Sequence, residues 1–257
     1  MRRYSHAEDR EIVGLLAAAV AFGRVTHILQ SLENLLERMG PRPAVWLRER
    51  RVKGMVSDLE GWRHRWATGT EAANLLLAVR GVLREWGTLG RAWCALRQPS
   101  DRDAHDTLIH WVACLERCGL AADNSLVPRP NRPSAAKRLH LYLRWMVRKD
   151  AIDPGGWGEL PARLLVPLDV HMHRMARLLG ATNRSVADLR AAREVTEWFR
   201  QVDPQDPVRF DFALTRLPIH DGLKVSEVRG ALLGEQRFPL PGASNKNDTE
   251  MRDVGFG

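Results

Sequence analysis

The chain contains the stretch KRLHLYLRWMV at residues 137–147, and its apolar residues recur at spacings of three and four, which indicates an amphipathic helix. Lys137 stands at the start of this segment. In the later stretch LLVPLDVHM, at residues 164–172, Asp169 follows an apolar Val-Pro-Leu segment. The two side chains can meet at one site, where the amine acts as a nucleophile and the carboxylate takes its proton or balances its charge. Lys137 and Asp169 are therefore the candidate catalytic residues.

Each member of this pair also has a simpler interpretation. A lysine in an amphipathic helix usually lies on a solvated face. An aspartate before a helix is usually a cap, and Asp169 suits the N-cap of a helix that begins near Val170. Spacing alone does not choose between these interpretations and catalysis.

Helical periodicity dominates the rest of the chain, while strand-like alternation is nearly absent. The predicted helical segments are residues 9–22, 25–39, 44–47, 75–86, 107–118, 137–147, 171–179 and 190–202. We therefore predict an all-α fold, and the length fits one large domain or two lobes sharing a cleft. We expect a helical domain over residues 1–230 and a flexible, polar C-terminal tail over residues 231–257.

The charge balance favours nucleic acid as the partner. The chain has 39 Lys and Arg against 31 Asp and Glu, a net charge of +8, and a pI of about 10.1. Basic clusters bind phosphate by releasing counterions, although a merely basic soluble protein remains the alternative. No stretch has the pattern of a signal peptide, and the apolar run 12–22 is too short to span a bilayer. We therefore expect a cytoplasmic protein with no membrane partner.

The three cysteines argue against a metal or a cofactor. Cys94, Cys114 and Cys118 have no metal-binding spacing with histidines, and they cannot supply the four thiolates of an iron–sulfur cluster. We predict reduced cysteines in the core, no metal site and no cofactor.

Two segments carry a resemblance to a known superfamily. Residues 166–172 (VPLDVHM) and the helix after them resemble the part of helix-hairpin-helix DNA glycosylases that carries an essential aspartate. The helix at residues 136–146 stands where that superfamily, which includes endonuclease III and the 8-oxoguanine DNA glycosylases, has its Schiff-base lysine. The separation of 32 residues between Lys137 and Asp169 is closer to the archaeal 8-oxoguanine DNA glycosylase branch. Residues 9–217 resemble a bacterial family of uncharacterised proteins related to that branch.

This resemblance implies a fold of two helical lobes around a central cleft. It also implies a DNA repair glycosylase that removes an oxidised purine such as 8-oxoguanine from double-stranded DNA. Base excision would be accompanied by abasic-site lyase activity through a Schiff base on Lys137, with Asp169 as its partner. The protein would act as a monomer without a cofactor, associated with the bacterial nucleoid while acting.

The sequence departs from the superfamily just before the lysine. The usual Gly-x-Gly of the hairpin is absent, and Asn-Arg-Pro-Ser stands at residues 131–134. A glycine hairpin offers backbone N–H groups to a phosphate, whereas Pro133 has none. We expect arginine side chains and the Ser134 hydroxyl to supply the missing phosphate contacts.

A glycosylase flips its target base into a pocket, so aromatic and amide side chains are candidates for base contacts. Trp66 lies one helical turn after Trp62 in the basic segment WRHRW at residues 62–66. The resemblance gives a tryptophan in this region the role of stacking on the damaged base, while core packing is the alternative. Gln30 is a further base-binding candidate, with solvent exposure as its alternative.

Asp211 is the third base-binding candidate, because it is a carboxylate inside an apolar run and needs a partner there. By resemblance, it would accept hydrogen bonds from a purine, as a late aspartate does in the archaeal branch. A salt bridge to Arg209 or Arg216 is the alternative.

Phosphate contacts are expected from basic and polar side chains, each of which could instead lie on a solvated face. These candidates are Arg24, Arg129, Arg132, Ser134, Arg138, Arg144 and Arg148. By resemblance, Phe22 or Arg24 in the turn at residues 21–24 would fill the gap left by a flipped base.

Two other functions remain open at this point. A catalytically inactive nucleic-acid-binding protein with the same fold would share the basic charge but would have no need for both Lys137 and Asp169. A helical protein-interaction scaffold would have no affinity for nucleic acid.

Overall fold

Helix α8 packs against the N-terminal helix α1 in the structure, a computed structural model that describes residues 1, 3–216 and 230. The helices described are α1 (Ala7–Ala19), α2 (Val25–Met39), α3 (Pro43–Glu49), α4 (Val52–Asp58), α5 (Gly69–Trp86), α6 (Leu89–Leu96), α7 (Ala104–Arg117), α8 (Lys137–Val147), α9 (Val170–Leu179), α10 (Leu189–Val202) and α11 (Asp211–Arg216). Two-residue strands, β1 (Arg63–His64) and β2 (Ala67–Thr68), pair antiparallel. The predicted mostly helical fold is confirmed.

One compact unit comprises Met1–Leu217. The predicted tail at residues 231–257 lies outside the described residues. Within the described part of the chain, no helix is both long and apolar enough to cross a membrane.

The predicted helix bounds match the structure fully for two helices. Helices α2 and α8 begin and end at the predicted residues, whereas α1 ends at Ala19 instead of Phe22. The chain turns four residues later at Gly23, which adopts a φ of 96°, a conformation that glycine tolerates. Short elements were missed, namely α4, α6, α11 and the β1–β2 ribbon, because one or two turns carry too little periodic signal.

Gly14 lies where the side chains of α8 approach α1 closely. A Cβ atom at this position would lie 2.9 Å from Met146 Cε and 3.3 Å from a ring carbon of Tyr142. Tyr142, fully buried on α8, donates a hydrogen bond from its hydroxyl to the Glu11 carbonyl at 3.1 Å. Gly14 therefore leaves room for the Met146 and Tyr142 side chains between α1 and α8.

The side chain of Glu11 joins α1 to two later segments. Its carboxylate accepts hydrogen bonds from Leu89 N at 3.0 Å and Gly90 N at 3.1 Å, at the start of α6, and from Trp157 Nε1 at 2.8 Å. Burial raises the pKa of this carboxyl, while the three donors oppose that effect. A carboxylate beside the N–H groups of a helix start is favourable, so Glu11 adds a long-range cap to the local one, in which Thr88 Oγ1 accepts from Arg91 N at 3.0 Å.

The expectation of three core cysteines is wrong for Cys94. Only Cys114 is fully buried, Cys118 is partly buried, and Cys94 lies on an exposed face of α6 with Sγ 4.0 Å from the Gly158 carbonyl oxygen. All three are free thiols.

We expect Glu11→Ala to lower the free energy of unfolding by roughly 2–4 kcal/mol, because each buried donor left without an acceptor costs about 1–3 kcal/mol. Urea denaturation monitored by circular dichroism measures this loss. Glu8→Ala is the matched control, since Glu8 forms a partly exposed ion pair with Arg48, and such pairs contribute about 0–1 kcal/mol. Equal losses in the two variants would contradict the role given to Glu11.

Candidate functional site

Lys137 and Asp169 meet in the folded chain, as the sequence predicts. Lys137 Nζ lies 3.4 Å from Asp169 Oδ2, and the two side chains are 32% and 27% exposed. Lys137 is the first residue of α8, and Asp169 is the N-cap of α9, so two helix starts converge at this point. The pair is partly shielded from water yet open to a ligand.

The two carboxylate oxygens of Asp169 make different contacts. Oδ1 accepts a hydrogen bond from Met172 N at 2.8 Å, which confirms the expected cap, while Oδ2 faces Lys137. The cap fixes the orientation of the carboxylate. The capping interpretation and the catalytic interpretation are therefore compatible.

The backbone before Lys137 is left-handed. Ala136 has φ 44° and ψ 38°, although it is not glycine and is buried. Its N–H donates to Ser134 Oγ at 3.3 Å, and Leu189 N donates to the Pro133 carbonyl at 3.1 Å. These contacts hold the turn without the glycines of the expected hairpin.

Asp211 starts α11, is buried, and forms an ion pair with Arg144. Its partner is therefore Arg144. Arg209, one of the two alternative partners, instead pairs with Asp203 at 2.8 Å, and the side chain of Arg216, the other, lies outside the described residues. Burial raises the pKa of Asp211 to about 6 against the opposing effect of Arg144. Asp169 and Lys137 also influence this pKa, so Asp211 lies within electrostatic reach of the candidate catalytic pair.

One face of α8 carries three cations that meet carboxylates from elsewhere in the chain. Lys137, Arg144 and Arg148 recur at intervals that return to the same side of an α-helix. Arg144 Nε lies 3.1 Å from Asp153, and Arg148 Nε lies 2.9 Å from Asp206. The expected phosphate contacts of Arg144 and Arg148 do not fit this geometry, because both guanidinium groups are buried and paired.

Trp66 and Trp62 have opposite environments. Trp66 is 59% exposed and stacks on Phe22, with ring centroids 4.8 Å apart, whereas Trp62 is buried and donates from Nε1 to the Ser31 carbonyl at 2.8 Å. The Arg65 guanidinium lies 4.9 Å from the Trp66 ring centroid. Trp66 is the member of the pair that can stack on a ligand.

Gln30 is exposed and lines a cavity of about 500 Å³ beside the β1–β2 ribbon. The cavity is rich in hydrogen-bonding groups, and its lining residues are His27, Gln30, Ser31, Asn34, Gly61, Trp62, Arg63, His64 and Arg65. Its buried wall includes His64, whose Nδ1 lies 2.6 Å from Ser31 Oγ.

The Arg138 guanidinium binds backbone carbonyls instead of facing solvent. Its guanidinium donates to the carbonyls of Ala19, Ser125 and Leu126, and it lies 4.9 Å from the Phe22 ring centroid. Burial lowers the pKa of Arg138 to about 10. Because of these contacts, Arg138 does not lie on the expected phosphate-binding surface. They link the start of α8 to the stacked rings of Phe22 and Trp66.

Arg129 is held internally in the same way. It pairs with Glu116 at 2.7 Å and donates to the carbonyls of Ala121 and Ala122. Arg24 and Arg132 are exposed, and neither forms an ion pair within the described residues. Ser134 is also exposed, so these three remain on the surface where phosphate contacts were expected.

A buried histidine pair behind Lys137 was missed by the sequence prediction. His105 Nε2 lies 2.8 Å from the Pro130 carbonyl, which only accepts, so His105 Nδ1 accepts from His140 Nε2 at 3.0 Å. Burial lowers the pKa of both rings and keeps them neutral. The pair anchors the loop before Lys137, and no local pattern in the sequence predicts it.

The left-handed turn at Ala136 predicts that glycine affects the free energy of unfolding differently at two adjacent residues. This conformation costs an L-residue roughly 1–2 kcal/mol, and glycine in the unfolded chain costs about 0.5–1 kcal/mol. We expect Ala136→Gly to leave the free energy of unfolding unchanged or raise it by up to about 1 kcal/mol. Ala135→Gly, at a buried residue without a left-handed backbone, should lower it by about 1 kcal/mol. Urea denaturation compares them, and a similar loss in both would contradict strain at Ala136.

Comparison with known proteins gives one family. Residues 1–220 match a family described as protein of unknown function (DUF2400). No curated protein and no solved structure matches the chain significantly. Because the match covers most of its length, the chain belongs to the DUF2400 family.

Proposed function

We propose that this protein is a DNA glycosylase with abasic-site lyase activity, built as a helix-hairpin-helix fold of two lobes around a cleft. The observation that carries the proposal is the contact between Lys137 Nζ and Asp169 Oδ2 at 3.4 Å, with both side chains about one-third exposed. A purely structural ion pair gains little in such a position. A nucleophilic amine, in contrast, needs both a nearby proton acceptor and access to its substrate.

The proposed reaction uses this pair directly. Asp169 takes a proton from the Lys137 ammonium group, and the neutral amine attacks C1′ of the damaged nucleotide. The bond between C1′ and the base breaks, and the departing base takes up the bonding electron pair and the proton held by Asp169. The sugar ring then opens to give a Schiff base between Lys137 and C1′. Loss of a proton from C2′ breaks the C3′–O bond and cleaves the strand.

The proposed substrate is an oxidised purine such as 8-oxoguanine. Trp66 offers an exposed ring for stacking, and Gln30 offers an amide on the wall of the 500 Å³ cavity. Asp211 lies within electrostatic reach of the lysine, and its pKa of about 6 leaves it mostly ionised near neutrality. Hydrogen bonds from the purine N–H groups would favour its ionised form.

Double-stranded DNA is the proposed partner, bound by a monomer at the nucleoid. The net charge of +8 supports binding to phosphate. Arg24, Arg132 and Ser134 are exposed side chains suited to phosphate contacts.

The direct test is borohydride trapping of the Schiff base. The full chain is incubated with duplexes that carry 8-oxoguanine, uracil, an oxidised pyrimidine or an abasic site, and borohydride is then added. We expect a covalent protein–DNA adduct that disappears in Lys137→Ala. Lys149→Ala, at an exposed lysine just after α8, is the control and should keep the adduct. Duplex binding without base release or adduct on any substrate would sink the proposal and favour a catalytically inactive DNA-binding protein.

The role of Asp169 is tested by separating its charge from its cap. Asparagine caps helices about as well as aspartate, so Asp169→Asn should keep the free energy of unfolding within about 0.5 kcal/mol. Base excision should fall roughly 10²- to 10⁴-fold, the usual contribution of a general acid–base group. Single-turnover excision assays and urea denaturation measure the two effects. Full activity in Asp169→Asn together with lower stability and activity in Asp169→Ala would leave only the capping role.

A further inference from the structure

A second cluster of reactive side chains joins α5 and α7. Glu85, Cys114 and Cys118 each offer one ligand atom, and the three atoms lie within 4.8 Å of one another. Glu85 is exposed, Cys114 is buried and Cys118 is partly buried. The cluster therefore has a fixed inner thiol and an outer edge open to solvent.

The sequence builds this cluster from two helix ends. Cys114 and Cys118 are one helical turn apart at the end of α7, and Glu85 lies in the last turn of α5. Gly81, one turn before Glu85, makes room for the second thiol, because a Cβ there would lie 2.7 Å from Cys118 Cβ and 3.0 Å from its Sγ. The glycine lets α5 approach the thiols closely.

We propose that Glu85, Cys114 and Cys118 form a binding site for a single thiophilic divalent cation of the zinc class. Two thiolates and one carboxylate suit zinc, whereas magnesium and calcium require oxygen ligands. Three protein ligands leave the fourth tetrahedral position to water or another small ligand. The site is independent of the proposed DNA chemistry, since it shares no residue with the Lys137–Asp169 pair.

The three ligand atoms lie close enough together to converge on one cation. Zinc–sulfur distances of about 2.3 Å and zinc–oxygen distances of about 2.0–2.2 Å require ligand atoms closer together than the 4.8 Å limit of this cluster. The Glu85 side chain is exposed, so it can change rotamer when a cation binds.

Cobalt titration of the reduced full-length chain tests the site, because thiolate–cobalt charge-transfer absorption reports sulfur ligation directly. We expect saturation at one cobalt per chain and displacement by zinc. Cys118→Ser and Glu85→Gln change partly or fully exposed side chains, so both variants should fold. Each should weaken cobalt binding by at least roughly 10- to 100-fold, the cost of losing even an outer-shell partner. Cys94→Ser alters an exposed thiol outside the cluster and should bind as the wild type does.

Three outcomes would overturn the proposal. One is the absence of a charge-transfer band in the wild-type chain. The others are wild-type affinity in Cys118→Ser and wild-type affinity in Glu85→Gln. Circular dichroism of each variant verifies that a loss of binding is not a loss of fold.

Discussion

The buried guanidinium of Arg144 constrains the rest of the structure. It lies between Asp153 and Asp211, and all three side chains are almost fully buried. Removing such a charge from water costs several kcal/mol, and removing one partner of a buried pair costs about 3–5 kcal/mol. The chain must therefore bring α11 and the loop after α8 to one face of α8. Arg148 extends the same network to Asp206.

This constraint also shapes the candidate site. Lys137 stands two helical turns before Arg144 on the same face of α8, so the helix that carries the buried network also carries the amine. Asp211 belongs to the network, yet its pKa responds to Lys137 and Asp169. A change in Arg144 is therefore expected to alter both stability and the electrostatics of the site.

The net charge overstates how many cationic side chains are available to bind nucleic acid. Arg129 and Arg138 use their guanidinium groups to hold backbone carbonyls, and Arg144 and Arg148 hold buried carboxylates. The binding surface proposed for DNA therefore rests on fewer cations than the sequence suggests, with Arg24 and Arg132 among them. The sequence analysis considered only cysteine and histidine spacing, whereas the metal site that we propose at Cys114 and Cys118 takes its third ligand, Glu85, from another helix.

The sequence by itself determined the features that depend on nearby residues. These are the helical class, the bounds of α2 and α8, and the cap at Asp169, because helical periodicity and capping operate within a few residues. Tertiary structure decided which of Trp62 and Trp66 is exposed, which arginines are buried, and that Asp211 pairs with Arg144 across 67 residues of chain. Burial and long-range pairing depend on how helices pack together, and a local sequence pattern does not specify which element a helix packs against.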